Sequence, residues 1–299
     1  MSHSHDLVDS RREHSRTLTV AFVLVAVFVI VELVVGLLSG SLALTADAGH
    51  MAADALGIGM ALAAAVAVNR SRPDATRTYG LYRFEIVAAL ANAVLLLGLS
   101  AYVLYQAIQR FASPTEVAAG PMLAVAVVGL GVNLFMWRLL RPGARASLNV
   151  EGAYLEVLGD LIASIGVVVA ATVVLVTGWT GADSLVAVGI GLFIVPRALR
   201  LAAKAIRILT QSVPAGLDPG AVAVELAAIP GVVDVHDLHV WTLTSGMDVA
   251  TAHLVVGEGT DTHPVLDRAR DLMKDAFGIS HATFQLEPDT HRGCDEIDW

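Results

Sequence analysis

Cysteine is nearly absent from these 299 residues. The single thiol, Cys294, excludes an intramolecular disulfide framework and fits a reducing, cytoplasmic tail. Charge is scarce as well: 16% of residues are Asp, Glu, Lys or Arg against 56% hydrophobic, and the mean hydropathy is +0.68. A soluble globular chain carries about 25% charged residues, so this balance indicates a membrane protein. The charge that is present falls unevenly. Residues 1–211 hold 15 Lys/Arg and 13 Asp/Glu, whereas 212–299 hold 4 and 15. The last third therefore reads as a separate, acidic, water-facing domain, unsuited to nucleic acid and suited to cations. No cleavable signal peptide is expected. The apolar run Leu18–Leu38 is long enough to span a bilayer and lacks the short core and small-residue cleavage site of a secretory leader.

Six apolar segments follow one another at roughly 18–38, 42–68, 84–108, 121–140, 153–176 and 184–203. Each is near or above the roughly 20 residues that a spanning helix needs. Three alternate connections, 39–41, 112–120 and 177–183, contain no Lys or Arg, and only Arg110 sits near that side. The other connections are basic. Arg11, Arg12 and Arg16 precede the first segment, and Arg70, Arg72, Arg77 and Arg83 surround the second-to-third connection. Arg138, Arg141 and Arg145 mark the end of the fourth helix, and Arg197, Arg200, Lys204 and Arg207 follow the apolar part of the sixth. The positive-inside rule then makes both termini cytoplasmic. The expected organisation is a leader over 1–16, a six-helix transmembrane domain over 17–209 and a cytoplasmic domain over 210–299, in a multi-pass protein of the inner membrane with lipids as neighbours. His3, His5 and His14 in the leader read as solvated.

From about 212 the periodicities become those of a small α/β domain. Asp218-Pro219 is an N-cap followed by a helix-opening proline, and Pro230-Gly231 ends that helix. Val232–Leu243 alternates as a strand, Ser245-Gly246 is a hairpin turn and Met247–Val256 is the return strand. An amphipathic helix over 263–277 closes at Gly278, and Ala282–Leu286 reads as a third strand. The order αββαβ predicts helices layered on one sheet.

Two polar ladders interrupt the apolar segments. His50-Met51-Ala52-Ala53-Asp54 lies in the second, and Glu156-Val157-Leu158-Gly159-Asp160 in the fifth. A spacing of four puts each pair on one helix face, one turn apart. Ionisable groups inside a span are costly, and four of them in two matched pairs point to function rather than packing. A rise of about 1.5 Å per residue places His50 roughly 12 Å and Asp54 roughly 18 Å below the outer end of the second segment, and Asp160 roughly 10–15 Å above the inner end of the fifth. Both pairs then share the middle third of a hydrocarbon core of about 30 Å.

Four such side chains supply a four-coordinate site for a divalent cation. One imidazole and three carboxylates suit Zn²⁺, Co²⁺, Cd²⁺ or Mn²⁺, and the lack of a thiolate argues against Cu(I). Around a dication and a neutral His50, three carboxylates leave a negative charge in excess. When the ion departs protons are the natural replacement, so metal–proton exchange is expected. Asp47 shares the face of His50 and Asp54 and is a candidate relay, or a carboxylate suited to a helix N-terminus. Glu32 in the first segment is a second candidate relay. Asn92 and Asn133 read as interhelical hydrogen-bonding groups, and Asp183 as a cap. An intramembrane metallohydrolase would need an open coordination position, which four protein ligands do not leave, and no HExxH pairing occurs. A metal sensor would leave the work to the acidic tail and have no transport to lose on substitution of Asp54 or Asp160.

The runs Ser41-Leu42-Ala43-Leu44-Thr45-Ala46-Asp47-Ala48-Gly49-His50-Met51-Ala52-Ala53-Asp54, Tyr79-Gly80 with Arg83-Phe84-Glu85, Glu151-Gly152-Ala153-Tyr154-Leu155-Glu156-Val157-Leu158-Gly159-Asp160, and His236-Asp237-Leu238-His239-Val240-Trp241 together resemble the cation diffusion facilitator family, over nearly the whole chain. The resemblance implies a homodimeric efflux antiporter that moves Zn²⁺-like ions outward against protons by alternating access. It also implies a ferredoxin-like cytoplasmic domain that binds metal and joins the protomers. Zinc members commonly carry histidine where this chain has Glu156, which admits Co²⁺ or Cd²⁺ beside Zn²⁺. Some members hold a His/Asp site in the second-to-third connection; here Asp74 stands there without histidine, and no metal site is expected.

In the cytoplasmic domain a two-residue turn at Ser245-Gly246 pairs Leu238 with His253 and His236 with Val255. His236 and His253 then lie diagonally on one face, within reach of a shared ion. Gln285 and Glu287 share a face of the third strand and align with metal-ligand positions of the family. His263, at the start of the last helix, is a further candidate. His239 is expected to hydrogen-bond on the other face, and His281 and His291 to be solvated.

Overall fold

The computed structural model describes residues 26–70, 78–141 and 148–290. The leader with its three histidines, Asp74, His291 and Cys294 lie outside the described residues. Six helices come first: α1 (Ala26–Ser39), α2 (Leu42–Arg70), α3 (Arg83–Ala112), α4 (Ala119–Leu140), α5 (Leu148–Thr177) and α6 (Gly181–Leu209). Four stretches, Arg83–Ala112, Ala119–Leu139, Tyr154–Thr177 and Gly181–Leu209, are long and apolar enough to cross a membrane. With α1 and the 29-residue α2 they form a six-helix transmembrane domain. The domain after them contains α7 (Pro219–Ala227), β1 (Val232–Thr244), β2 (Met247–Val256), α8 (Thr262–Phe277) and β3 (His281–Pro288).

The sixth helix continues through Pro196 to Leu209, so Arg197, Arg200, Lys204 and Arg207 are all helical. The Ala, Leu, Ile, Lys and Arg of this stretch are good helix formers, and the helix merely becomes amphipathic where its apolar run ends.

Contacts divide the chain into two compact units, one joining the chain up to Gly59 with Ala91–Arg200, the other joining Met60–Leu90 with Leu201–Trp299. In the first unit small and branched side chains fill the core, with Leu44, Leu96, Met122, Val167 and Ile194 fully buried. Polar groups add direction to this packing. Asn133 Nδ2 on α4 donates to Ser164 Oγ on α5 at 2.9 Å, and Asn92 on α3 fills the space over Gly57 on α2. Gly36 on α1 admits Thr45 of α2, whose Oγ1 would lie 2.9 Å from any added Cβ.

One end of this unit is tied by Asp183. Its carboxylate caps α2 rather than its own helix, accepting from Ser41 Oγ at 2.6 Å, Leu42 N–H at 2.7 Å and Ala43 N–H at 3.1 Å. These backbone donors have no partner inside their own helix. Arg110, from the last turn of α3, reaches the same carboxylate at 3.4 Å and donates to the Gly40 carbonyl. Ala118 N–H, ahead of α4, donates to the Ser39 carbonyl at 2.8 Å.

In the second unit the sheet order is β1-β2-β3, with β1 antiparallel and β3 parallel to the central β2. Asp218 caps α7 through Gly220 N–H, Asp261 caps α8 through His263 N–H, and Gly278 ends α8 in the left-handed region at φ +71°. α8 buries Val265, Ala269 and Met273, spaced by four, against Leu226 and Leu254 in one core. The start of α3 belongs to this unit. Ile86 packs with Ala205 and Ile208, Glu85 accepts from Thr244 Oγ1 at 3.0 Å, and Tyr79 stands edge-on to His281. His281 stays exposed, as expected, with the Tyr79 ring at its edge.

The hairpin register differs from expectation. His236 pairs with His253 directly, not Leu238, and Asp234 takes Val255. Thr244 faces Met247 as the two-residue turn requires, but register shifts lie between Thr242 and Thr244 and between His236 and His239. Each inserts an extra β1 residue, so two bulges move the pairing by two positions and turn a diagonal relation into a facing one. Asp237 occupies the second bulge at φ +51°, a conformation that Asp tolerates better than most residues.

Candidate metal sites

α2 and α5 bring three of the four ladder residues into one cluster. His50 Nδ1 lies 3.5 Å from Asp54 Oδ2, one turn along α2, and His50 Nε2 lies 3.5 Å from Asp160 Oδ1 on α5. Two ligand atoms about 2.0–2.1 Å from a tetrahedral ion are separated by about 3.3–3.4 Å. The Nε2–Asp160 gap is therefore close to that of a ligand pair. One ion takes one ring nitrogen, and Asp54 faces the other, Nδ1. The four ladder side chains do not converge on a single point.

The reason is a residue that sequence reasoning assigned elsewhere. Arg197 of α6 directs its guanidinium at Glu156, forming an ion pair and hydrogen bond, and at Asp54 Oδ1, 3.5 Å away. An arginine just beyond an apolar run reads as a cytoplasmic flank. A depth count carries the missing signal. Counted from the end of the bundle tied by Asp183, Arg197 lies roughly 24 Å into α6 and Asp54 roughly 18 Å into α2, a gap that an arginine side chain spans.

Glu32 and Asp47 form a second buried acidic pair. Both are nearly inaccessible, and their carboxyls are close enough across α1 and α2 to repel one another when charged.

The C-terminal cluster is tighter. His236, His253 and Glu287 each offer a ligand atom within 4.8 Å of the other two, the only such group among the described residues. His253 Nδ1 lies 2.9 Å from Glu287 Oε1, His236 Nε2 lies 3.6 Å from Glu287 Oε2, and the rings meet edge to face at 5.2 Å. β1 supplies one imidazole, the facing position of β2 the other, and the parallel β3 the carboxylate. Glu287 is buried, and a buried carboxylate needs a compensating charge or donors. Gln285, opposite His253 on β3, donates from Nε2 to Glu287 Oε1 at 2.7 Å, which steadies the carboxylate.

His263 is not in the cluster; it sits exposed in the first turn of α8, near Asp267. Asp237 is an addition that sequence reasoning missed. From the bulge it holds His239 Nε2 at 2.8 Å with one oxygen and approaches His253 Nε2 at 3.6 Å with the other. No periodicity announces a bulge.

Comparison with known proteins gives a consistent result. The family model described as the cation efflux transmembrane domain matches residues 18–210, and that described as the cation efflux protein, cytoplasmic domain, matches 216–289. The chain is 42% identical over 288 residues to the metal cation efflux system protein CzcD of Cupriavidus metallidurans, spanning 95% of this chain and 89% of that protein. It is 37% identical over 302 residues to the zinc transporter ZitB of Escherichia coli, spanning 97% and 96%. A cadmium, cobalt and zinc/H(+)-K(+) antiporter of Bacillus subtilis is 31% identical over 296 residues, spanning 97% and 93%. Among solved structures, the metal-bound C-terminal domain of the C. metallidurans CzcD transporter is 38% identical, covers 24% of this chain and 99% of that one, and has a TM-score of 0.23.

Proposed function

Because the chain belongs to the cation diffusion facilitator family of metal efflux proteins, we propose that it exchanges a cytoplasmic Zn²⁺, Co²⁺ or Cd²⁺ for protons by alternating access around His50, Asp54, Glu156 and Asp160. That it is a membrane transporter for divalent metal cations, and not an enzyme, follows from the family itself. The finer reading rests on one observation: the His50 imidazole lies between Asp54 and Asp160, at 3.5 Å from each. One donor atom from α2 and one from α5 then bracket a common position, so a shift of either helix remakes the coordination and alters access to it. Glu32 and Asp47, beside that cluster, are suited to pass protons. Both termini face the cytoplasm in this reading, the membrane is the inner one, and the C-terminal domain joins two copies.

The test is ion entry into proteoliposomes with a pH-sensitive dye inside. Zn²⁺ or Co²⁺ uptake is expected to drive protons the other way, and uptake without proton movement would remove the exchange. Glu156→His is expected to shift preference from Co²⁺ toward Zn²⁺ by about tenfold, since imidazole in place of carboxylate favours the softer ion.

His236, His253 and Glu287 form a second, non-transport site for the same ions, with Gln285 orienting the carboxylate. Full-length detergent-purified protein is expected to lose one Zn²⁺ per chain on Glu287→Gln, read by equilibrium dialysis. An unchanged stoichiometry would count against this site.

A further inference from the structure

We propose that the Arg197 guanidinium is a tethered competitor of the transported ion: it and a dication are alternative partners of Glu156 and Asp54. This rests on the reading of the intramembrane cluster as the transport site.

The side chains form an ordered series, Glu156, Arg197, Asp54, His50, Asp160, each within 3.5 Å of the next. Exposure falls toward the imidazole, from 36% at Glu156 and 33% at Arg197 to 18% at Asp54 and 3% at His50. The arginine thus stands at the more exposed end of the series, on oxygens that would serve an ion. Its charge is permanent, and its planar fork can hold two carboxylates at once. An ion that binds Glu156 and Asp54 must displace it.

The consequence is twofold. A competitor on the same chain acts at high effective concentration, so it lowers apparent affinity by the fraction of time it holds the carboxylates. It also assists release, because it replaces the departing ion.

The experiment measures Zn²⁺ and Co²⁺ binding to full-length protein carrying Glu287→Gln, which silences the C-terminal cluster, with proteoliposome uptake in parallel. Arg197→Gln is expected to tighten binding about tenfold and to lower both KM and the maximal rate. Arg197→Lys, which keeps the charge without the fork, is expected to fall between. Glu156→Gln should cost more affinity beside Arg197→Gln than alone, because the freed carboxylate then becomes a ligand. A purely structural arginine would show the opposite pattern, a raised KM with no tightening in either variant, and that result overturns the proposal, as does additivity with Glu156→Gln. If Asp54→Asn and Asp160→Asn leave binding intact, the transport site itself is misplaced and the proposal falls with it. If those two variants abolish binding while Arg197→Gln fails to tighten it, the competitor alone is refuted.

Discussion

Zn²⁺ entry into proteoliposomes is expected to fall at least about 100-fold when Asp160 is replaced by alanine, in protein that still elutes as a folded species. Loss of a group that merely orients a metal ligand costs about 10–100-fold in affinity or activity, so a ligand should cost more. Asp160 is placed to be one, since its Oδ1 is 3.5 Å from His50 Nε2. The substitution also leaves His50 with Asp54 alone, on the other ring nitrogen, so the bracketed position loses its α5 side. The measurement is initial uptake at several Zn²⁺ concentrations. Retention of uptake within about threefold of wild type would exclude Asp160 from the transport path.

The second large effect is on stability. Asp183→Ala removes a fully buried carboxylate that serves Ser41, two backbone N–H groups at the start of α2 and the Arg110 guanidinium. Breaking a buried ion pair from one side costs about 3–5 kcal/mol because the other charge is stranded. Loss of a cap adds about 1 kcal/mol. The variant is expected to be poorly expressed and to lose its ordered state at a markedly lower temperature in detergent. Asp183→Asn, which keeps an acceptor for the cap, should be milder. Arg110→Ala should be milder still, because Asp183 retains three donors. Equal melting of wild type and Asp183→Ala would refute the account.

Helical spacing made the intramembrane pairs legible: two residues four apart on α2 and two on α5 need only a face and a depth, both countable from the sequence. Asn133 could be read as a link between helices for a related reason, since a lone amide in an apolar run has few other uses. Arg197 escaped because an arginine at the end of an apolar run has a sufficient alternative explanation, and its target depends on how α6 leans against α2 and α5. The cytoplasmic cluster was half legible. Alternation placed the histidines on strands, yet the facing of His236 and His253 depends on two inserted residues in β1. Those insertions are set by twist and by a left-handed Asp237, neither of which leaves a periodic trace. Capping chemistry at Asp218, Asp261 and Gly278 was legible throughout, because a cap is a local matter.

The tie at Asp183 also fixes the mechanics of α2. A helix whose first backbone groups are gripped by α6, next to a carbonyl held by α3, is anchored against sliding along its axis, which leaves tilting as the less costly displacement. Rocking is leverage about that end. For a tilt of about 10°, Asp54 at roughly 18 Å moves about 3 Å, while the far end of a 29-residue helix, roughly 43 Å away, sweeps about 7 Å. A displacement of 3 Å is enough to break a coordination sphere, and 7 Å is enough to open or shut a path for water. Such a fulcrum would couple a small change at the proposed ion site to a larger one at the other end of the helix.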